Sequence, residues 1–376
     1  MRVTVIDCSV SGHREVYYKQ FARTWAEMGH ETSLIAPDGK GIDRRISFRN
    51  ISLYALHALP TGKPLKKKMT VLLNAWLRLL NLYRIRKSLQ HSGTDLVFFA
   101  CLDDMLPLLS PLWLFNYLFP YKWSGLFVQS ELPPYKFGMP DIRPFLRSKN
   151  CIGIGVLNEF SVCNLQQFNK NILIFPDFTD TSAPDTSYTL LQEVKSRAGK
   201  RKIVSLLGSV NLRKGVKLLQ QSILLLPEED YFFLIAGKSS LSVEEEAELR
   251  TLEESRDNCL FSFDKIPDER CFNALVAASD VIFAAYRHFT GSSNLLTKAA
   301  VFHKPVVVSE GHCMGKRVEH YGTGKAIPEN DAKECSDAIR SLCAGTGIDV
   351  QAFVRYEEHH RVNKLTTCFN QINQRL

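Results

Sequence analysis

Short apolar segments alternate with helix-like segments along most of this 376-residue chain. Near the start, residues 3–6 are apolar, residues 14–28 carry apolar side chains at helical spacing up to Gly29, and residues 32–35 are apolar again. This order is typical of two parallel strands joined by a crossover helix. Further strands are predicted at 96–100, 125–128, 151–157, 171–175, 203–207, 231–236, 259–263, 281–284 and 305–308. The pattern predicts an α/β protein built on parallel sheets.

The alternation falls into two halves. Residues 176–187 are rich in Asp, Thr, Ser and Pro, which is typical of a linker. A chain of this length can bury two hydrophobic cores. We therefore predict two Rossmann-like, doubly wound domains, at 1–178 and 188–350, that face each other across a cleft. In such sheets the ligands bind at the carboxyl ends of the strands.

The composition narrows the class of protein. Lys and Arg outnumber Asp and Glu by 47 to 39, for a net charge of +8. That excess suits an anionic substrate or a membrane surface, but the chain lacks the basic, aromatic-interleaved modules of nucleic-acid-binding proteins. The ten cysteines form no C-x-x-C pair and no zinc-like cluster with histidine, so we expect free thiols in a reducing compartment and no metal site. The N-terminus resembles a strand rather than a signal peptide, and no apolar stretch reaches the roughly 20 residues of a membrane-spanning helix, which predicts a cytoplasmic protein.

The second half contains a segment with the character of a phosphate cradle. The apolar run 203–207 leads into Gly208-Ser209 and then, through Arg213-Lys214, into a predicted helix. The free N–H groups and the dipole at the start of a helix favour an anion. Arg offers a bidentate fork to a phosphate and Lys a point charge. The alternative is a solvated helix start.

A second segment of this kind begins about 75 residues after the first one ends. Gly291, Ser292 and Ser293 open a predicted helix at 292–302. Their hydroxyl and N–H groups suit a phosphate, although a serine at a helix start is also an ordinary cap. Two such segments in one α/β unit predict a diphosphate that is held from two sides.

Several motifs occur at the spacing found in one large group of enzymes. They are Ser11-Gly12-His13 before the first helix, Gly29-His30-Glu31-Thr32 after it, Gly208 with Lys214-Gly215, Gly237 after a strand, Ala278-Ser279-Asp280 before a strand, and His303-Lys304-Pro305 before Val306-Val307. In these motifs the chain resembles the GT-B glycosyltransferases of the family 4-like type (glycosyltransferase group 1). Its Gly-Ser-Ser segment resembles that of exopolysaccharide- and lipopolysaccharide-type members. The resemblance covers most of the chain and is strongest at 200–330.

The resemblance implies a GT-B fold. The first domain, joined by a C-terminal helix at 352–376, would bind the acceptor, and the second would bind a nucleotide-sugar. The implied reaction moves a sugar from a nucleoside-diphosphate-sugar to a glycan or lipid-linked glycan, with retention and without metal or cofactor, in cell-surface polysaccharide synthesis. Many members carry two Glu where this chain has Thr290 and Lys298. Two alternatives stay open: a catalytically silent homologue acting as a partner subunit, and a nucleotide-sugar epimerase or phosphorylase on the same fold.

Further candidate residues follow the ends of other predicted strands. The nucleoside or sugar contacts implied by the resemblance are Phe263, Lys265, Ile266, Lys298 and Glu310. On the acceptor side, Gly12 and His13 belong to the glycine loop, and Glu131 follows the strand at 125–128 as a candidate general base. The ordinary alternatives are a core position for Phe263 and exposed loop positions for His13 and Glu131.

Residues 63–91 and 106–123 form an unusual pair of segments. The first interleaves basic side chains with leucines and aromatics, and the second carries six aromatic side chains after position 112. A basic amphipathic helix beside an aromatic surface is typical of proteins that lie on a membrane surface. This pattern predicts peripheral association with the inner face of the cell membrane, and the alternative is a helix whose apolar face packs on the first sheet.

Overall fold

The protein is described here by a computed structural model that covers residues 1–8, 13–57, 64–107, 109–129, 132, 141–169, 171–345 and 347–376. The chain forms two compact units. Unit 1 consists of Met1–Pro176 and Val362–Leu376, and unit 2 of Asp177–Arg361. Among the described residues no helix is long and apolar enough to cross a membrane.

Unit 1 is built on a seven-stranded sheet. Its strands are β1 (Arg2–Ile6), β2 (Glu31–Ile35), β3 (Ser47–Arg49), β4 (Leu96–Phe99), β5 (Trp123–Phe127), β6 (Cys151–Val156) and β7 (Ile172–Ile174). They pair in the order β3-β2-β1-β4-β5-β6-β7, and every pair is parallel. The helices of this unit are α1 (His13–Glu27), α2 (Pro64–Leu89), α3 (Leu102–Met105), α4 (Leu112–Leu118), α5 (Arg143–Leu146), α6 (Val162–Gln166) and α15 (Lys364–Asn373).

Helix α1 is held in unit 1 by aromatic side chains at helical spacing. Phe21 and Trp25 lie one turn apart on its buried face and are fully buried. The ring of Trp25 stacks on Phe369 of α15 with 4.3 Å between the ring centroids, and Phe21 meets Phe98 of β4 edge-on at 5.2 Å. The C-terminal segment therefore completes the core of the first sheet.

Unit 2 is built on a six-stranded sheet. Its strands are β8 (Lys202–Leu207), β9 (Tyr231–Ala236), β10 (Cys259–Ser262), β11 (Val281–Ala284), β12 (Val306–Ser309) and β13 (Gly324–Ile327). The helices are α7 (Thr189–Ala198), α8 (Val216–Ile223), α9 (Val243–Ser255), α10 (Glu269–Ala278), α11 (Asn294–Val301), α12 (Cys313–Tyr321), α13 (Ala332–Cys343) and α14 (Val350–His360).

The order of the second sheet is that of a Rossmann fold. The strands run β10-β9-β8-β11-β12-β13, all in parallel. The central strands are mostly apolar because helices cover both faces of a parallel sheet. The chain direction across the sheet reverses between β8 and β11, and this switch point is where doubly wound sheets bind their ligands. The predicted fold class, an α/β protein with two Rossmann-like sheets, is confirmed.

The C-terminal segment differs from the single helix predicted at 352–376. It consists of α14 and α15, because Arg361 is extended (φ −65°, ψ 142°) and interrupts the helical hydrogen bonds. The buried face of α14 contains Phe353 and Tyr356, which belong to the core of unit 2, whereas Phe369 of α15 belongs to unit 1. One continuous helix would direct its apolar stripe towards only one of these two cores.

The segment 177–187, predicted as a linker, belongs to unit 2 in the structure. Asp185 N donates to Arg270 O at 3.1 Å, and Asn273 Nδ2 donates to Ser182 O at 2.8 Å. Polar residues that are typical of linkers here satisfy hydrogen bonds on the surface of α10.

Candidate functional site

Two loops meet at the switch point of the unit 2 sheet. One leaves the carboxyl end of β8 and occupies residues 208–215, and the other leaves the carboxyl end of β11 and occupies residues 285–293. Arg287 N donates to Arg213 O at 2.7 Å, which joins the two loops directly. The structure thus brings the two predicted phosphate segments of unit 2 to the same edge of one sheet.

Close packing of the backbone at this edge requires glycine at two positions. Gly208 has φ +95° and Gly237, at the end of the neighbouring strand β9, has φ +135°. A Cβ atom on Gly237 would lie 1.8 Å from the carbonyl oxygen of Gly208, so no other residue fits there. The chain segments that follow β8 and β9 therefore approach each other too closely at this edge for a side chain at position 237.

Lys214 is held in place by its own loop. Its N–H donates to Asn211 Oδ1 at 3.0 Å, which caps a short 3₁₀ turn at Leu212–Lys214. Its ammonium donates to Leu207 O at 2.9 Å, at the last residue of β8, and lies 5.4 Å from the ring centroid of Tyr286. The charge is thereby fixed at the carboxyl end of the central strand.

Arg213 is exposed and lies against the second loop. Its guanidinium carbon is 4.9 Å from the ring centroid of Phe289 and 6.0 Å from that of Tyr286. Contact with the faces of these rings holds the cation without neutralising it. Within the described part of the chain, neither Arg213 nor Lys214 pairs with an acidic side chain. Two positive charges thus lie together beside the switch point, while Ser209 is exposed in the same loop.

The second loop ends at the start of helix α11. Ser293 is the N-cap residue, with extended φ −135° and ψ 123°, and its hydroxyl makes no capping hydrogen bond. The sequence left open whether this serine is an ordinary cap, and the structure shows that its side chain does not act as one. Gly291, Ser292 and Ser293 are all partly exposed. The helix start therefore offers backbone N–H groups and a Ser293 hydroxyl group that does not cap the helix.

The hydroxyl group of Ser292 points instead into a buried polar cluster. It donates to Asp177 Oδ2 and accepts from Arg317 Nη1. Asp177 is 1% exposed and Arg317 is completely buried, and their side chains are 3.3 Å apart. Sequence reasoning missed both residues, because they lie far from Ser292 in the sequence and neither stands in a recognisable motif.

Lys298, a predicted nucleoside or sugar contact, directs its ammonium group into the interior of unit 2. Its side chain is 1% exposed, and its ammonium lies 2.8 Å from Glu269 Oε2 and donates to Asn273 Oδ1 at 2.5 Å. These bonds attach α11 to α10. A nucleoside or sugar contact from Lys298 remains a prediction, and the observed role is an internal ion pair.

The other predicted nucleoside or sugar residues follow β10 and β12. Phe263 is half-buried, with the Arg250 guanidinium carbon 4.5 Å above its ring centroid. Lys265 is exposed, whereas Ile266 is 8% exposed and packs in the core. Glu310 is exposed at the carboxyl end of β12. All four lie on the same edge of the sheet as the phosphate segments, but β10 is two strands from β8, which places Phe263 about 10 Å along the sheet.

The acceptor-side candidates remain predictions. Gly12, Glu131 and the side chain of His13 lie outside the described residues. At the same edge of the first sheet, Arg14 in the first turn of α1 bonds to Asp104 and to Asp7, the latter at 2.9 Å. The sequence analysis did not single out this arginine. The aspartate that directly follows β1 was the available signal for a charged cluster there.

Asp103 belongs to this edge of unit 1 as well. Its two carboxylate oxygens accept from the N–H groups of Val128 and Gln129 at 2.8 and 2.9 Å. Burial raises the pKa of Asp103, although the two backbone hydrogen bonds oppose the shift. Its carboxylate therefore fixes the loop after β5 rather than facing solvent. The described residues contain no group of His, Cys, Asp and Glu side chains that could hold a metal ion.

Part of unit 2 matches a known protein family. Residues 201–344, from just before β8 through α13, match the family model described as Glycosyl transferases group 1. No curated protein matches the chain in sequence.

Solved structures share its complete architecture at low sequence identity. WaaG, a glycosyltransferase involved in lipopolysaccharide biosynthesis, has 11% identity, a TM-score of 0.65 and coverage of 100% of this chain and 99% of its own. HepE from Anabaena in complex with UDP has 14% identity and a TM-score of 0.69, with both chains fully covered. An E. coli structure described as trehalose-6-phosphate bound with UDP-2-fluoro glucose has 10% identity and a TM-score of 0.70, again with full coverage of both chains. The chain therefore has the GT-B fold, and its residues 201–344, which match the glycosyl transferases group 1 model, indicate a glycosyltransferase.

Proposed function

We propose that this protein transfers a sugar from a nucleoside-diphosphate-sugar to a glycan or lipid-linked glycan acceptor, with retention at the anomeric carbon and without a metal ion. The observation that carries the proposal is the pair of cations Arg213 and Lys214 at the switch point of the unit 2 sheet, against the loop that leads into α11. Among the described residues, neither cation pairs with an acidic side chain. The similar structures of HepE and of the E. coli protein hold UDP or a UDP-sugar, which supports a nucleotide-sugar donor.

The cations suit the departure of a nucleoside diphosphate. Bond cleavage at the anomeric carbon leaves negative charge on the diphosphate oxygens. Arg213 can bind two of these oxygens at once, and Lys214 can face a third. The N–H groups of α11 and the Ser293 hydroxyl would bind from the other loop. Neutralisation by fixed cations supports a mechanism that does not need a metal ion.

The proposed acceptor and pathway follow from the family resemblance and from the similarity to WaaG. Gly12, His13 and Glu131 keep their proposed places near the acceptor, with Glu131 as base. WaaG is described as an enzyme of lipopolysaccharide biosynthesis, which supports a cell-surface glycan as the product of this chain. Retention rests on the family resemblance. Thr290 and Lys298 stand at the family's two glutamate positions, so the donor sugar needs other contacts than those carboxylates.

Binding of nucleoside diphosphates tests the donor site. We would titrate the purified chain with UDP, GDP, ADP, TDP and CMP by calorimetry, and repeat the best ligand with Arg213→Ala and Lys214→Ala. A lost charge-assisted hydrogen bond costs about 1.5–3 kcal/mol, so each variant should bind about 10- to 150-fold more weakly.

The matched control is Arg256→Ala. This arginine lies just before β10, at the opposite edge of the sheet, and its Nε is 3.3 Å from Glu228 Oε1. Its loss should leave the affinity unchanged. The absence of any binding at millimolar concentration, or equal affinity in the wild type and both cradle variants, would refute the donor site.

Product analysis separates the alternative activities. The proposed transferase converts the donor sugar into a glycoside only when an acceptor is present. A nucleotide-sugar epimerase would change the donor sugar without any acceptor. A silent partner subunit would bind the nucleotide but consume no donor with any acceptor, and that outcome would overturn the proposed enzymatic role.

We also propose that unit 1 associates with the inner face of the cell membrane through α2 and α4. One face of α2 packs in the core through Leu82, Ile85 and Leu89, as the alternative for this segment predicted. A second apolar stripe at helical spacing nevertheless remains exposed on the same helix. It consists of Leu65, Met69, Leu72, Leu73, Trp76, Leu80 and Tyr83.

Helix α4 extends this apolar surface. Its Trp113 and Tyr117 are 70% and 71% exposed, and Arg86 of α2 donates to Tyr117 O at 2.8 Å, which joins the two helices. Lys66, Lys67 and Lys68 are exposed near the start of α2. A surface of large apolar side chains bordered by lysines is complementary to an anionic lipid bilayer.

Sedimentation with lipid vesicles tests this surface. The protein should bind vesicles of 30% phosphatidylglycerol in phosphatidylcholine (about one anionic lipid in three) and bind phosphatidylcholine alone weakly. The double variant Trp76→Ser/Trp113→Ser should reduce binding, whereas Leu224→Ser, at a 60% exposed leucine of unit 2, should not. Equal binding of all three proteins would overturn the proposed surface.

A further inference from the structure

The start of α11 is attached to the first residues of unit 2 at successive positions. Ser292 donates to the Asp177 carboxylate, Thr297 Oγ1 donates to Asp177 O at 2.6 Å, and Lys298 Nζ donates to Asp180 O at 3.2 Å. Thr297 is 2% exposed, so these bonds are shielded from water. Residues 177–180 therefore form a strap across the beginning of the helix that carries one half of the candidate diphosphate site.

Asp177 of the strap is also held by side chains of α12 and α14. Arg317 of α12 contacts both Asp177 Oδ2 and Ser292 Oγ, and its Nη1 also lies 3.4 Å from Tyr356 Oη. His360 Nδ1 accepts from Asp177 N at 3.1 Å. A buried carboxylate and a buried guanidinium neutralise each other here, with α12 and α14 as the rigid support.

The hydrogen-bonding capacity of a serine hydroxyl decides what Ser292 can do. A hydroxyl group has one proton to donate and two lone pairs to accept with. The proton of Ser292 is directed to Asp177, and Arg317 donates to the oxygen. No proton remains for a phosphate oxygen, whereas the neighbouring Ser293 hydroxyl makes no capping bond.

We propose that Asp177 and Arg317 are positioning residues that hold the start of α11 through Ser292, and that Ser293 rather than Ser292 donates its hydroxyl proton to the bound diphosphate. This inference rests on the proposed donor site. It divides two adjacent serines, both expected from the sequence to contact the diphosphate, into one anchor and one ligand contact.

A double-mutant cycle tests the division of roles. UDP affinity would be measured for Ser292→Ala, Asp177→Asn and the combination, and separately for Ser293→Ala. If Ser292 acts only through Asp177, the two changes share one effect, so adding Ser292→Ala to Asp177→Asn should lower affinity much less than Ser292→Ala does alone. Ser293→Ala should weaken the binding of UDP about tenfold, which corresponds to the loss of one hydrogen bond.

Two further measurements keep the cycle decisive. Arg317→Lys retains the positive charge beside Asp177 but loses the forked guanidinium group. This variant should bind UDP more tightly than Arg317→Met, which loses the charge as well. Arg256→Ala, whose charge lies at the far edge of the sheet, should lower stability without altering affinity, which separates positioning from general destabilisation. Additive effects of Ser292→Ala and Asp177→Asn on affinity, or unchanged affinity in Ser293→Ala, would overturn the inference.

The ligand-free protein supplies an independent outcome. The same cycle in urea unfolding measures the coupling of Ser292 and Asp177 without any nucleotide. Coupling there with no UDP binding in any variant would sink the proposed donor site but confirm the strap. Normal UDP binding without coupling in either assay would refute the strap and leave the donor site standing.

Discussion

The buried histidine at the end of α14 makes the stability of unit 2 depend on pH in a defined direction. His360 is 4% exposed, its Nδ1 accepts a hydrogen bond from Asp177 N, and its Nε2 has no hydrogen-bond partner among the described residues. Burial, with the neighbouring Arg317 and His359 acting in the same sense, lowers the pKa of His360 to about 2. The folded protein therefore keeps this imidazole neutral.

The magnitude follows from the difference between the folded and unfolded pKa values. The unfolded chain takes up a proton on this histidine below a pKa of about 6.5, whereas the folded protein does so only near a pKa of about 2. Between these values the unfolded state binds more protons, so stability falls as the pH falls, by about 1.4 kcal/mol per unit. From pH 7.5 to pH 5.0 the expected loss is about 2 kcal/mol.

The assay compares wild type with His360→Gln. Glutamine can accept the hydrogen bond from Asp177 N but does not titrate, so the variant carries a constant penalty and lacks the pH-dependent one. Urea unfolding of both proteins at pH 7.5 and 5.0 gives the difference in free energy of unfolding, in which the contributions of other titrating groups cancel. The stability advantage of the wild type should shrink by about 2 kcal/mol at the lower pH.

His91→Gln serves as the control, because His91 is exposed in unit 1. Its difference from the wild type should be the same at both pH values. A wild-type advantage over His360→Gln that does not change between pH 7.5 and 5.0 would refute the reasoning, since it would mean that the folded protein protonates His360 as readily as the unfolded chain.

Three further changes test the packing. Gly237→Ala places a Cβ 1.8 Å from Gly208 O and should both destabilise unit 2 and abolish nucleotide binding, as measured by thermal shift with and without UDP. Lys298→Met leaves its acidic partner on α10 without a counter-charge and should lower the free energy of unfolding by about 3 kcal/mol in urea, whereas an unchanged value would show that the pair contributes little. Phe369→Ala removes the ring stacked on Trp25 and should destabilise unit 1 by about 3–5 kcal/mol. The affinity for UDP should persist, because the proposed donor site lies in unit 2. Loss of UDP affinity in this variant would contradict that expectation.

The elements of the sheets could be predicted from local patterns alone. The strands at 203–207, 231–236, 259–263 and 281–284 match β8 to β11 within one residue, because a strand buried on both faces must be apolar throughout. The glycines at 208 and 291 lie in the loops that follow β8 and β11. The family resemblance and the fold class are confirmed, whereas the roles of the individual site residues remain predictions.

Features that depend on two distant segments escaped prediction. The outward stripe of α2 and the inward one are both apolar, so the sequence indicates neither which of them meets the sheet nor how much remains exposed. The break at Arg361 follows from the separate cores that α14 and α15 enter. The basic residue at 298 suggested a donor contact, and only the position of Glu269 shows that its charge is directed inward.

The sequence by itself determined where strands, helices and tight glycine turns occur, because these depend on the spacing of apolar residues and on backbone freedom within a few positions. The tertiary structure decided which of two adjacent serines has its hydroxyl group bonded to a buried carboxylate. Ser292 finds its carboxylate partner 115 positions away and Ser293 makes no capping bond, although nothing in the sequence distinguishes the two. A hydroxyl group's role depends on which donors and acceptors the fold brings within about 3 Å of it, and that is set by the path of the whole chain.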